Sequence, residues 1–113
     1  MEINAAILVE QQKPLEIETI QLQEKLKVGQ VLVKIKLSGI CGTQIGEIDG
    51  VKGKDPYLPH LLGHEGCGIV QDIGPGVKTV QIGDKVVLHW KKGNGIESEL
   101  PIYAFKGKKI NAG

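Results

Sequence analysis

The chain has 113 residues and a formal net charge of +1, from 14 basic and 13 acidic side chains. That is one domain's worth of chain, long enough to bury a core without staples. Every basic residue is a lysine. Arginine is the usual residue for bidentate phosphate and base-edge recognition, so its absence argues against a dedicated nucleic-acid partner. No apolar run approaches the length that spans a bilayer, which argues against a membrane partner. The opening MEINAAILVEQQ has an acidic start and too short an apolar run for a secretory signal. The two cysteines, Cys41 and Cys67, are either buried thiols or one disulfide. With no sign of secretion, the expectation is a reduced, cytoplasmic protein with both as thiols.

In chain order, Ile3 to Val9 reads as a strand. Leu15 to Ile20 alternates at period two, the pattern of a half-buried antiparallel strand. Val31 to Leu37 sets Val33, Ile35 and Leu37 against Lys34 and Lys36, a third strand with one wet face. A short helix is expected over Gly42 to Ile48, weakened by its glycines. Residues 49–62, with Pro56 and Pro59, read as a loop. Gly68 to Gly74 is a fourth strand, and Asp84 to Trp90 a fifth. Gly74-Pro75-Gly76 and Gly83-Asp84 are turns. The lysines of 106–109 read as a solvated face. Residues 106–113 look like a strand approach with nothing after it, as though the chain stopped in mid-domain. The sum is a mainly β single domain over 1–113, a small sandwich or partly open barrel.

The polar residues with metal-binding chemistry are Cys41, His64 and Glu65, and more loosely His60, Cys67 and His89. Thiolate, imidazole and carboxylate are the ligands zinc uses. Cys41 stands at the entrance to the short helix, whose amino terminus favours the thiolate form. Each has an ordinary explanation: a lone His or Cys is usually packed or solvated. His60 and His64 are four apart, but Pro59 and Gly63 argue against a helix that would align them. Cys67, between two glycines, reads as a small buried hydrophobe at the start of a strand.

SGICGTQ at 38–44, GHEGCGIV at 63–70 and IGPGVKTVQIGDKVVLHW at 73–90, in this order and approximate spacing, resemble the N-terminal catalytic domain of the zinc-containing medium-chain alcohol dehydrogenases. The resemblance covers roughly residues 1–90. It implies a GroES-like barrel, partly open, with one or two short helices. It implies Cys41 and His64 as catalytic-zinc ligands and Glu65 as a neighbouring carboxylate that can replace a ligand. Thr43 corresponds to the hydroxyl that bonds the substrate and starts proton transfer, and His89 and Trp90 to the substrate pocket. Gln44 stands where many members have an Asp that supports the ligand His, and Gly46 where many have a relay His. The implied cofactors are one catalytic zinc and, in the full-length enzyme, NAD or NADP. The implied partner is a small alcohol or aldehyde, and the full-length enzyme is expected to be a homo-oligomer.

The family's third zinc ligand and the coenzyme fold lie downstream of the matching residues. Gly93 to Ser98 approaches a dinucleotide fingerprint, but Pro101 blocks a long helix and no βαβ unit follows. Residues 91–113 contain no cysteine, so no structural zinc is expected there. The expectation is therefore the catalytic-zinc half of an NAD(P)-dependent oxidoreductase, inactive as this fragment alone. The competing classes are a stand-alone GroES-like binding or co-chaperone module, and a non-catalytic remnant. The GDKVV and GIVQDIGPG segments also resemble the GroES co-chaperonin. They support the architecture and say little about activity.

Overall fold

The computed structural model describes residues 1–112. Gly113, the last residue of the segment expected to end without closure, lies outside the described residues. The described chain is mainly β, with eight strands and one short helix in the order β1 Glu2–Leu8, β2 Glu16–Leu22, β3 Val31–Ser38, α1 Gly42–Asp49, β4 His60–Leu61, β5 Gly66–Ile73, β6 Lys85–Leu88, β7 Tyr103–Phe105 and β8 Lys108–Ala112. It divides into two compact units, one of residues 1–23, 40–63 and 102–112, the other of residues 24–39 and 64–101.

The first unit is a closed barrel in the order β1-β2-β7-β8-β4, together with α1. β1 and β2 pair antiparallel with Ile3 opposite Ile20 and Ala5 opposite Glu18. Opposed residues share a face, so the odd positions of β1 and the even positions of β2 point the same way. This sets the core: Ile7, Ile20 and Ile110 are buried, with Ile3, Ala5, Leu61, Tyr103 and Phe105 packed against them. It also selects the inward face of β2, which the alternation leaves open: Ile17 is 71% exposed and the buried residue is Ile20. The pairing register with β1 outranks the local alternation.

Two elements of this unit were not expected. The 49–62 loop contains β4, two residues that pair antiparallel with β1 and parallel with β8. The lysine-rich end is not an unpartnered approach. β7 and β8 form an antiparallel hairpin, Tyr103 opposite Ile110 and Phe105 opposite Lys108. Lys106 at the tip has a left-handed backbone, φ 50°, with Gly107 beside it at 76°. Two lysines, Lys108 and Lys109, hide β8 from a hydropathy pattern because its only buried side chain is Ile110.

The second unit is a three-stranded antiparallel sheet in the order β3-β5-β6. β5 is central, and Val70 is its buried anchor, 1% exposed. The register of β3 against β5 slips between Leu32 and Val33 and again between Ile35 and Leu37. Such bulges bend a strand and re-aim its side chains. Ile35 and Leu37, expected to be inward, are 49% and 72% exposed. β6 ends at Leu88, two residues short of the expected Trp90. No helix of the described residues is long and apolar enough to cross a membrane.

Tyr103 carries the one polar group of the barrel cluster, and burial raises its phenol above the usual 10.0. The folded state therefore holds this proton more tightly than the unfolded chain. Its contribution to stability is complete below pH 10 and is lost as pH rises through the folded value. Thermal unfolding midpoints should fall more steeply above pH 10 in the wild type than in Tyr103→Phe. Equal slopes for the two proteins would exclude Tyr103 as the source.

Candidate functional site

Cys41 and Thr43 belong to the barrel unit. Cys41 is the N-cap of α1, with extended backbone at φ −108° and ψ 165°. Its N–H donates to Oε1 of Gln44 at 2.8 Å, while its carbonyl accepts from the N–H of Gln44 at 3.1 Å. Gln44 is buried, 8% exposed. A glutamine three positions into a helix, reaching back to the N-cap amide, is half of a capping box. It fixes the entry of the chain and hence the direction in which Cys41 leaves it. Gln44, expected as a support for the histidine ligand, holds the backbone of the cysteine. The helix stops at Gly50, whose left-handed φ of 75° closes the last turn as Val51 N–H donates to Gly46 O at 3.0 Å.

Thr43, Gly46, Glu47 and Gly50 recur at i, i+3, i+4 and i+7, one face of a helix. All four line a cavity of about 760 Å³ in the barrel unit. Gly46 leaves room on this face only narrowly, since a Cβ there would lie 2.7 Å from Cγ2 of Val51. Any larger residue at this position would require Val51 to move.

His64, Glu65, Cys67, His89 and Trp90 belong to the sheet unit. His64 is half-buried and Glu65 exposed, on the approach to β5. The Glu65 carbonyl accepts from Gly39 N–H at 3.1 Å, and a Cβ at residue 39 would fall 2.6 Å from Oε2 of Glu65, so a larger residue there would displace this exposed carboxylate. Cys67 is half-buried within β5, opposite Leu37 and Val87. No disulfide joins Cys41 and Cys67. His89 and Trp90 follow β6 and are exposed, Trp90 to 77%. His89 Nδ1 accepts from Lys91 N–H at 3.1 Å, which ties the ring to the turn.

The described residues bring together one group that the sequence patterns did not single out as a set. Glu47, Asp55 and His60 converge at the cavity wall, with one potential ligand atom from each within 4.8 Å of the others. His60 Nδ1 lies 3.1 Å from Oδ2 of Asp55, and His60 Nε2 lies 3.4 Å from Oε2 of Glu47. They come from a helix, a loop and a two-residue strand, so no spacing motif links them.

The model of the alcohol dehydrogenase GroES-like domain matches residues 27–103. The chain belongs to this family. It is 36% identical over 88 residues to an alcohol dehydrogenase of Geobacillus stearothermophilus, a match that takes 78% of this chain and 26% of that protein. It is 45% identical over 87 residues to an alcohol dehydrogenase class-3 of Cereibacter sphaeroides, covering 77% of this chain and 23% of the relative. The crystal structure of benzyl alcohol dehydrogenase from Acinetobacter calcoaceticus is similar, with a TM-score of 0.67 at 35% identity over 75% of this chain and 23% of that one. The alcohol dehydrogenase zinc-binding domain protein from Burkholderia ambifaria gives 0.66 at 34% identity. The chain thus spans about a quarter of the length of these relatives, as the covered shares of 26% and 23% show.

This GroES-like domain contains one further residue that positions the site, and it lies before the matched span. Gln11, in the turn after β1, donates from Nε2 to Glu47 O at 2.9 Å and to Gly53 O at 3.3 Å. Its Oε1 accepts from Asp55 N–H at 2.9 Å. Its neighbour Gln12 adds a backbone bond to Ile48 O at 2.7 Å. The last carbonyls of a helix have no partner within it, and these two glutamines supply partners for α1. Nothing in a glutamine pair near a strand end signals that task. Gln11→Ala leaves part-buried polar groups unpaired and should cost about 1–3 kcal/mol of stability. The urea midpoint should drop accordingly with an unchanged m value; an unaltered midpoint would show that water replaces the clamp without loss.

Proposed function

We propose that these residues form the catalytic-zinc half of an NAD(P)-dependent alcohol dehydrogenase acting on a small alcohol or aldehyde. The observation that carries this reading is the position of Cys41. It is an unbridged thiol at the amino end of α1, aimed by the Gln44 clamp on its own N–H, in a chain whose family is that of alcohol dehydrogenases. The field of a helix amino terminus favours the thiolate, the form that binds metal.

The donor chemistry of Cys41 and His64 suits zinc, with Glu65 as a nearby carboxylate. In this reading those residues hold the ion, which supplies Lewis acidity toward an alcohol when bound. The roles of the chain's own groups follow from their placement. Thr43, on the cavity face of α1, offers a hydroxyl that accepts the substrate's hydroxyl proton and passes its own on. Gln44 keeps the N-cap geometry of Cys41 and acts through it. Gly39 leaves the space that the Glu65 carboxylate occupies. His89 and Trp90 bound the substrate side. The coenzyme, NAD or NADP, and the zinc's third protein ligand belong in this reading to the full-length enzyme, so residues 1–113 alone bind zinc weakly and do not turn over. Cytoplasmic location and homo-oligomeric assembly of the full-length enzyme belong to the same proposal.

Cobalt(II), which takes zinc's coordination, reports sulfur ligation through a thiolate charge-transfer absorption. The wild-type chain should show that absorption on titration with Co²⁺, Cys67→Ala should keep it, and Cys41→Ala should lose it. The opposite pattern would mean that Cys67 is the sulfur ligand and that the assignment of Cys41 is wrong.

A further inference from the structure

We propose that His60 and Glu47, supported by Asp55, hold a divalent cation of the zinc class at the wall of the barrel-unit cavity, with no sulfur ligand and none of the residues Cys41, His64 or Glu65. The site is separate from the catalytic zinc proposed above and does not depend on it.

Three observations converge. The first is an unpartnered donor. His60 is 7% exposed, and its Nε2 is buried with no hydrogen-bond partner. A buried polar atom left unpaired is costly, and native proteins rarely leave one without a ligand or water to satisfy it. The second is the separation of that atom from Glu47. At 3.4 Å, Nε2 and Oε2 are long for a good hydrogen bond. Two ligands on a tetrahedral ion with bonds of about 2.0–2.1 Å are about 3.3–3.4 Å apart. The spacing therefore matches an edge of a zinc coordination shell better than it matches a direct contact.

The third observation is the support behind the ring. Nδ1 lies 3.1 Å from Oδ2 of Asp55, whose side chain is 9% exposed. A metal-bound imidazole almost always gives its other N–H to a carboxylate or carbonyl, which fixes the tautomer and turns the lone pair toward the ion. Asp55 is itself fixed, since its Oδ1 accepts from Tyr57 N–H at 2.7 Å and its own N–H donates to Gln11. Asp55 thus acts through His60. Glu47, with a side chain 39% exposed, faces the cavity, from which water completes the coordination.

The test uses the Cys41→Ser/His64→Ala variant, so that the sulfur site cannot contribute, with Zn²⁺ alone in calorimetry and Co²⁺ alone in absorption. One equivalent of Zn²⁺ should bind, and the Co²⁺ complex should show ligand-field bands without thiolate charge transfer. Adding Glu47→Gln should weaken Zn²⁺ at least tenfold. Adding Asp55→Asn should weaken it less, because a neutral carbonyl still accepts from Nδ1. His60→Ala should abolish binding, but it alters the closing strand, so Glu47→Gln, on the cavity face of α1, is the decisive variant once circular dichroism shows it folded. Less than tenfold weakening in folded Glu47→Gln, a thiolate band, or no Zn²⁺ uptake by the background variant would each overturn the site.

Discussion

The barrel closes through two residues. His60 and Leu61 accept β1 on one side and β8 on the other, and without them both neighbours would be open edges. An open edge is a row of unpaired amides and carbonyls, a standing invitation to pair with another chain. A strand this short contributes few hydrogen bonds of its own. Its hold comes from where its side chains go: Leu61 packs on the isoleucine cluster, and His60 is buried beside Asp55. The polar and the apolar anchor alternate, as successive strand residues must. A change at His60 thus acts on the fold and on the cavity wall together.

The same economy applies to α1. Eight residues with one glycine at the first position and another in the interior do not make a stable helix by propensity. Its ends are fixed from outside its own hydrogen-bond ladder. Gln44 returns to the amide of Cys41 at the start, and Gln11 and Gln12 take the last carbonyls at the other end. A helix clamped at both termini keeps its rotation about the axis. That rotation decides which residues line the cavity, and so places Thr43 and Glu47 on one wall. The precision of the wall comes from hydrogen bonds to the helix ends, with little help from burial of a hydrophobic face.

How much of this was legible in the sequence follows from the range of each interaction. The strands with strong β-branched runs, β1, β3 and β5, could be read directly, as could the helix that follows Cys41. The family was legible too, from the strings that carry Cys41, Thr43, His64 and Glu65, because a family pattern is local. The β4 strand was not legible, since two residues carry no periodicity and its partners, Ile7 and Asn111, are distant in the chain. The inward face of β2 was not legible for a related reason. Ile17 is as apolar as Ile20, and only the register against β1 separates them. The Glu47–Asp55–His60 group escaped because three elements must fold before its atoms meet. His60 drew notice as a loose metal candidate and as a histidine four residues from His64, and neither reading pairs it with Glu47 and Asp55.

The buried carboxylate of Asp55 sharpens what His60 has to be. Moving an ionised carboxylate out of water costs several kcal/mol unless a positive charge or a full set of donors compensates. Asp55 receives one backbone N–H on Oδ1 and faces an imidazole nitrogen on Oδ2. In either protonation state of His60 that nitrogen can be the donor; the difference lies at Nε2. A proton there gives the carboxylates their positive partner at the price of a long, poorly formed contact to Glu47. A lone pair there needs a cation to complete it, and that cation then supplies the charge both carboxylates require. The two arrangements exclude each other at one atom. Because Glu47 is the more exposed partner and sits on a helix held by Gln11, it can adjust to either, whereas Asp55 is fixed in both. The chemistry of this wall is therefore decided by what occupies Nε2.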